Sequence, residues 1–307
     1  MTIDVAASPA VLAARAAADL FHRVGPVAGI VAAIIVFWYA AAVWLNAPQV
    51  IDRFKSDEKS WTAGELIDAT WSMERPVLPA PHQIAQNLYE TVFQTPISNK
   101  RSLVYHAGVT VSSTLLGFLF GSVLGILLSV GTVHSPVLDR SLLPWIIASQ
   151  TVPILAIAPM VVVVLGSIGF VGLFPKAVIS MYLCFFPVTI GMVKGLRSPD
   201  PLQLDLMRTY SASAAQVLWK LRWPAATDFM FASLKVAIAT SLVGAIVGEL
   251  PTGAQAGLGA RLLSGSYYGQ TIQIWSALFM AAIIGVALVA AVGLIEHLVD
   301  RRMGKPA

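Results

Sequence analysis

Six stretches of this chain are apolar almost without interruption, at about residues 26–45, 108–131, 142–166, 175–195, 230–250 and 272–297. Each holds about 20 residues or more, the length that crosses the hydrocarbon core of a bilayer as a helix. Helix is the expected form, because a segment in lipid must satisfy its own backbone polar groups. Residues 47–107 break the pattern: Asp52, Arg53, Lys55, Asp57, Glu58 and Lys59 make this segment too charged to span. Within it, Ile84, Leu88 and Val92 recur every four residues with Phe93 beside them, after Pro79-Ala80-Pro81. That period predicts a short amphipathic helix, either lying along the membrane surface or serving as a plain connector.

Short loops set the expected orientation. Arg140 follows the second span, and Lys194, Arg197, Arg208, Lys220 and Arg222 follow the fourth, whereas the alternate loops hold only Lys176 and Arg261. The richer set is expected to face the cytoplasm, which puts both termini inside, in agreement with Arg301, Arg302 and Lys305. Arg15 and Arg23 precede a first apolar run longer than a signal-peptide core, so that run is read as an uncleaved anchor.

Composition agrees. Of 307 residues, 57% are hydrophobic and 12% charged, against about 25% charged in a soluble domain. A net charge of +4 gives no reason to expect a nucleic-acid partner; membrane lipid is the expected surround. The single cysteine, Cys184, excludes an intrachain disulfide and reads as a small core residue. His22, His82, His106, His134 and His297 are scattered, so no metal site is expected.

Spacing within the spans points to packing. Gly117, Gly121, Gly125 and Ser129 share one helix face, as do Gly244 and Gly248, and such faces let another helix approach closely. Pro153 and Pro159 interrupt the third span just after Gln150 and Thr151. Irregular backbone at that depth suits a helix that lines a cavity, and also a simple structural kink. Lys235 is expected to extend toward the cytoplasmic face, with Glu296 and His297 near the same boundary.

The loop between the fourth and fifth spans is the most informative stretch. Pro199 and Pro201 punctuate its start, and Leu204 to Tyr210 reads as a short helix. Ser213 is placed to cap a second helix, Ala214 to Trp223, expected to stop near Pro224. Two short helices make a knob, with Arg208, Lys220 and Arg222 outward and Leu206, Met207 and Tyr210 for docking. It fits a socket on a partner protein or an anionic leaflet.

The loop resembles the coupling loop of permeases in ATP-binding-cassette importers. Their pattern is Glu-Ala-Ala, three residues, Gly, about nine residues, then hydrophobic-x-Leu-Pro. Asp205 falls at the Glu position, Ser211 at the Gly position and Pro224 at the Pro position, with Leu206, Met207 and Trp223 as departures. Leu78-Pro79-Ala80-Pro81, Gln150-Thr-Val-Pro153, Phe185-Phe186-Pro187, Gly195-Leu-Arg-Ser and Gly248-Glu249-Leu250 with Gly257-Leu-Gly259 resemble the nitrate, sulfonate and taurine branch. The resemblance covers residues 76–304, leaving 1–75 as an N-terminal tail, first span and external insertion.

The resemblance implies an all-α membrane protein of six transmembrane helices in the type I importer fold, in a bacterial inner membrane. It implies a second permease chain, identical or different, two cytoplasmic ATP-binding subunits that hold ATP and Mg, and a periplasmic solute-binding protein. This chain carries no phosphate-binding Gly-x-x-x-x-Gly-Lys-Ser/Thr loop, so it is expected to be no enzyme and to hold no cofactor. Asp205, Leu206, Met207, Arg208, Tyr210 and Ser211 would contact the ATPase. Gln150, Thr151, Pro153, Thr240, Ser241 and Glu249 would serve the pathway, with Glu249 either gating its outer end or capping the following loop. No fixed cation is evident in the membrane core, which favours a pyrimidine-like heterocycle over a sulfonate or nitrate. A secondary transporter or channel is the rival reading, although no inverted repeat is evident.

Overall fold

A computed structural model of the protein describes residues 9–250 and 256–304, with residues 9–24 described by backbone alone. Arg15 and Arg23 fall in that backbone-only part, and Lys305 lies outside the described residues. The regular elements among the described residues are all helices, with no strand. The chain divides into two compact units at Asn87/Leu88.

In the first unit, α1 (Pro9–Ser56) runs well past the expected span and carries Pro26 and Pro48 inside it. Its apolar part begins at Gly25, and its side chains there are mostly exposed, as suits a helix surrounded by lipid. α2 (Ala63–Trp71) starts on a capping box: the Thr62 hydroxyl accepts from Glu65 N–H, and Thr62 N–H donates to the Glu65 carboxylate at 2.9 Å. Those bonds, the backbone one first, hold the Glu65 carboxyl below its usual range. Asn46 is fully buried and ties this unit together. Its Oδ1 accepts from Val77 N–H at 2.8 Å and Leu78 N–H at 3.2 Å, and its Nδ2 donates to the Leu78 carbonyl at 2.9 Å. The expected amphipathic helix is α3 (Pro81–Tyr89), within which the two units divide.

In the second unit a π-helical turn (Glu90–Gln94) precedes α4 (Leu103–His134), followed by α5 (Pro136–Ser149), α6 (Ile154–Ser167) and α7 (Leu173–Leu196). The loop helices α8 (Pro201–Thr209) and α9 (Ala214–Val217) come next, then a second π-helical turn (Leu218–Arg222) and α10 (Trp223–Glu249). α11 (Leu258–Tyr267) and α12 (Thr271–Arg302) complete the chain. Among the described residues, five helices are long and apolar enough to cross a membrane, and α5 with α6, bent by 100° at their junction, make a sixth crossing if the pair is one span.

α7 is the centre of this unit, flanked by α4 and α10. A Cβ on Gly117 would lie 2.2 Å from the Ser180 Cβ, and one on Gly121 2.8 Å from Cys184. One on Gly125 would lie 2.8 Å from the Phe185 carbonyl, so α4 meets α7 backbone to backbone. On the other side a Cβ on Gly244 would lie 2.7 Å from the Ser180 Cα, and one on Gly248 3.2 Å from the Lys176 Cα. These pairings make α4 parallel to α7 and α10 antiparallel to it. The end of α4 and the start of α7 therefore lie at opposite ends of the unit, and residues 136–172 must return along its length. The buried face of α4 is small and polar, whereas Leu115, Leu119, Val123 and Leu127 on its other face are exposed. That inversion is expected where lipid is as apolar as any core and close backbone contact drives packing. Hydroxyls link the helices: Ser180 donates to the Ser241 carbonyl, and Ser241 to the Thr114 carbonyl, each at 2.8 Å.

Two proline readings change. α8 begins at Pro201 rather than Leu204, because Asp200 caps it and proline in a first turn lacks only an N–H that the helix leaves unpaired. Pro224 likewise starts α10 instead of ending the preceding helix; the π-helical turn before it keeps the chain helical from Ala214 to Glu249. Lys235 is ion-paired with Glu296 of α12.

Candidate functional site

Two places in the second unit carry polar residues beyond what packing needs, and they lie at opposite ends of α7. The first is the α8–α9 loop. Asp200 accepts from Leu202 N–H at 2.7 Å, and its own N–H donates to Gln203, closing a capping box. Ser213 and Gln216 form another at the start of α9. Between them, Ser211 adopts φ +53°, in the left-handed region. Its N–H donates to the Arg208 carbonyl at 2.8 Å, and Ala212 N–H donates to the Met207 carbonyl at 3.0 Å. This is a Schellman ending, in which glycine normally occupies the left-handed position. Arg208 pairs with Asp205 at 2.9 Å, both exposed. Leu202, Leu206, Tyr210 and Trp219 are all more than half exposed. Met207 is half-buried.

The base of this loop is anchored even though its tip is bare. Arg197 at the end of α7 pairs with Asp139 of α5 at 2.8 Å, and Arg222 donates to the Leu196 carbonyl at 3.0 Å. A cleft of about 510 Å³ opens beside that base, lined by Leu143, Ile190, Val193, Lys194, Arg197 and Phe229 among others.

At the opposite end, a buried polar cluster sits beneath the start of α11. Glu249 is 0% exposed. It accepts from the Thr110 hydroxyl at 2.9 Å and from Gly259 N–H at 2.8 Å. Thr110 also accepts from Leu258 N–H at 2.9 Å. Gly257 N–H donates to His106 Nδ1 at 3.0 Å, and Lys176 Nζ donates to the Ala256 carbonyl at 3.1 Å. Residues 256–259 are thus held by side chains from α4, α7 and α10. Gly257 has φ +125°, and a Cβ there would lie 2.2 Å from the Glu249 carboxyl carbon. These hydrogen bonds tie Glu249 to the start of α11.

A family model described as the inner membrane component of binding-protein-dependent transport systems matches residues 117–305. The chain belongs to this family. A probable ABC transporter permease of Haemophilus influenzae is 30% identical, over 76% of this chain and 90% of the relative. A formylaminopyrimidine transport permease of Halalkalibacterium halodurans is 29% identical, over 72% of this chain and 84% of the relative. A putative aliphatic sulfonates transport permease of Bacillus subtilis is 24% identical, over 82% of this chain and 91% of the relative. The permease is therefore an ABC importer subunit of the nitrate, sulfonate and taurine branch.

The remaining expected residues of this permease separate into two environments. Gln150 and Thr151 occupy the bend between α5 and α6, with Pro153 capping α6; Thr151 and Pro153 are exposed and Gln150 is half-buried. Thr240 and Ser241 instead face neighbouring helices. Ser241 is fully buried, and Thr240 is half-buried and donates to the Ala237 carbonyl at 3.0 Å. Lys176, expected in a loop, lies in the first turn of α7 and is 7% exposed. The sequence shows this cation but not its burial, because its partner is a backbone carbonyl eighty residues away. His106 and Thr110 also escaped the sequence reading. Their only signal is a four-residue spacing on the face that carries Gly117 further along.

Proposed function

We propose that this chain is the channel-forming subunit of an ATP-driven importer, and that α8 is its coupling helix. Residues 76–304 form the permease domain, while residues 1–75 add a tail, the first span and an external insertion. The chain crosses the inner membrane six times, with α5 and α6 as one broken crossing and both termini in the cytoplasm. Two permease chains, alike or different, enclose the pathway. Two ATP-binding subunits, which hold ATP and Mg, drive it from inside, and a periplasmic binding protein delivers the solute. This permease hydrolyses nothing itself.

The observation that carries this reading is a bare tip on an anchored base. Leu206 and Tyr210 are exposed on a helix whose two ends are capped, while Arg197 and Arg222 tie the loop to α5 and α7. A push on α8 would pass through those ties to the cleft beside Lys194 and Arg197 and to the bend at Gln150, Thr151 and Pro153. Such coupling needs a contact that differs between two states of the transporter. The glycine contacts of α4, α7 and α10 make these helices a rigid unit for that push to move. Thr240 and Ser241 serve the pathway as internal supports, and Glu249 closes its outer end by holding residues 256–259.

The solute is a small nitrogen- or sulfur-containing compound of the kind named for the relatives, a pyrimidine-like heterocycle or a sulfonate. A secondary transporter lacks a place for the exposed tip of α8 to act.

Ser211 and Arg208 give the test. Ser211→Gly is expected to stabilise the end of α8 by about 1 kcal/mol, because glycine reaches the left-handed region without strain. Ser211→Val is expected to destabilise that end and, with Arg208→Glu, to abolish ATP-dependent uptake in reconstituted vesicles while membrane insertion stays normal. Wild-type uptake by the double variant contradicts the role given to α8.

A further inference from the structure

His106 occupies a position that no packing or family argument assigns. It is 3% exposed, and both ring nitrogens meet backbone groups. Nε2 lies 2.8 Å from the Lys100 carbonyl, which only accepts, so Nε2 carries the hydrogen. Nδ1 receives Gly257 N–H at 3.0 Å, so Nδ1 must be bare. The partners thus fix one neutral tautomer, with the ring bridging the chain before α4 to the chain before α11.

We propose that His106 is a positioning residue for the outer end of the transport pathway, whose bare Nδ1 holds residues 256–259 closed and whose protonation releases them. A proton on Nδ1 turns the acceptor into a second donor facing Gly257 N–H, and the two cannot bond. The new charge would also face Lys176 from α7 and Arg261 from α11, with Lys100 and Arg101 on its own chain segment. Glu249 from α10 is the one carboxylate in the cluster, and it is already committed to Thr110 and Gly259. Release would begin at Gly257, while Leu258 and Gly259 stay bonded to Thr110 and Glu249. The importance of this for transport rests on the importer reading, which places this end of α4 on the outer face and exposes it to the pH of the medium.

The test is amide hydrogen exchange on the full chain in lipid nanodiscs, at about pH 7.5 and about pH 4, well above and well below the ordinary imidazole range. Exchange is corrected for its intrinsic pH dependence. Gly257 is expected to be protected at the higher pH and to exchange about fivefold faster at the lower one, the factor set by one lost hydrogen bond. Leu258, Gly259 and the amides of α7 should not change. His106→Asn, which can keep an acceptor near Nδ1 but cannot take up a proton, should protect Gly257 equally at both pH values. Equal protection of Gly257 at both pH values in the wild type overturns the proposal, as does the same acid-induced loss in His106→Asn. A variant that loses protection throughout α7 has misfolded, and the wild-type comparison then decides alone. Since no ATPase or solute enters this measurement, its failure leaves the importer reading standing, and absent ATP-dependent uptake leaves this result standing.

Discussion

Gly257→Ala is expected to cost the permease about 3 kcal/mol or more of stability. Two penalties fall on one atom. The backbone at φ +125° is strained for any side chain, and the added methyl would lie 2.2 Å from the Glu249 carboxyl carbon and 2.3 Å from its Oε1. Neither side can yield cheaply, because the carboxylate is held by Thr110 and Gly259 and the glycine by His106. Glu249→Ala attacks the same cluster from the other side. It leaves the Thr110 hydroxyl and Gly259 N–H without that acceptor, at about 1–3 kcal/mol each. Glu249→Gln keeps a carbonyl oxygen and is expected to cost less. Thermal unfolding of the purified variants checks the order, with Gly257→Ala and Glu249→Ala well below Glu249→Gln. Glu249→Ala should therefore lower the yield of assembled protein as well as uptake. A wild-type unfolding temperature for Gly257→Ala would mean that residues 256–259 are not packed on Glu249.

Gly117→Ala is expected to separate α4 from α7. The added methyl would meet the Ser180 Cβ at 2.2 Å and the Ala177 carbonyl at 2.7 Å, so backbone rather than a side-chain end must move. Overpacking of this kind costs about 1–3 kcal/mol, and more where the neighbour is backbone. Because α7 is also in contact with α10 at Ser180, the shift would pass to the Gly244 contact on its other side. Gly108→Ala, on the same helix with nothing within 4 Å of the new methyl, is the matched control and should be neutral or slightly stabilising. Comparing thermal unfolding of the two variants separates a packing requirement from a general intolerance of alanine in α4. Equal behaviour would remove the close α4–α7 contact from the account.

Much of this architecture was legible because apolar runs in membranes are long and glycine spacing is specific. The faces of Gly117, Gly121, Gly125, Gly244 and Gly248 were visible as four-residue repeats, and the structure puts each against α7. The cap at Ser213 was legible for the same local reason. Helix boundaries failed where proline was read as punctuation: Pro201 stands in a first turn, where the missing N–H costs little, and Pro224 follows a π-helical turn inside a continuous helix. The capping box at Thr62 and Glu65 is a local signal written in the Thr-x-x-Glu spacing. Of the cluster of His106, Thr110, Lys176 and Glu249, only Glu249 stood out in the sequence, as a gate or as a cap for the following loop. Its members are up to 143 positions apart, from His106 to Glu249, and most of its bonds go to backbone groups that leave no mark on composition. Ser211 lies between these cases. The resemblance put it where the family has glycine, and only its φ of +53° explains why glycine belongs there.

Photocrosslinking from position 210 tests the central claim most directly. A photoreactive residue replacing the exposed Tyr210 of the full chain, in native membranes, is predicted to form an adduct with an ATP-binding subunit that carries a phosphate-binding loop. Adducts with lipid alone, or labelling of that position by an impermeant reagent from outside the cell, would contradict the assignment of α8 as the element that the ATPase grips.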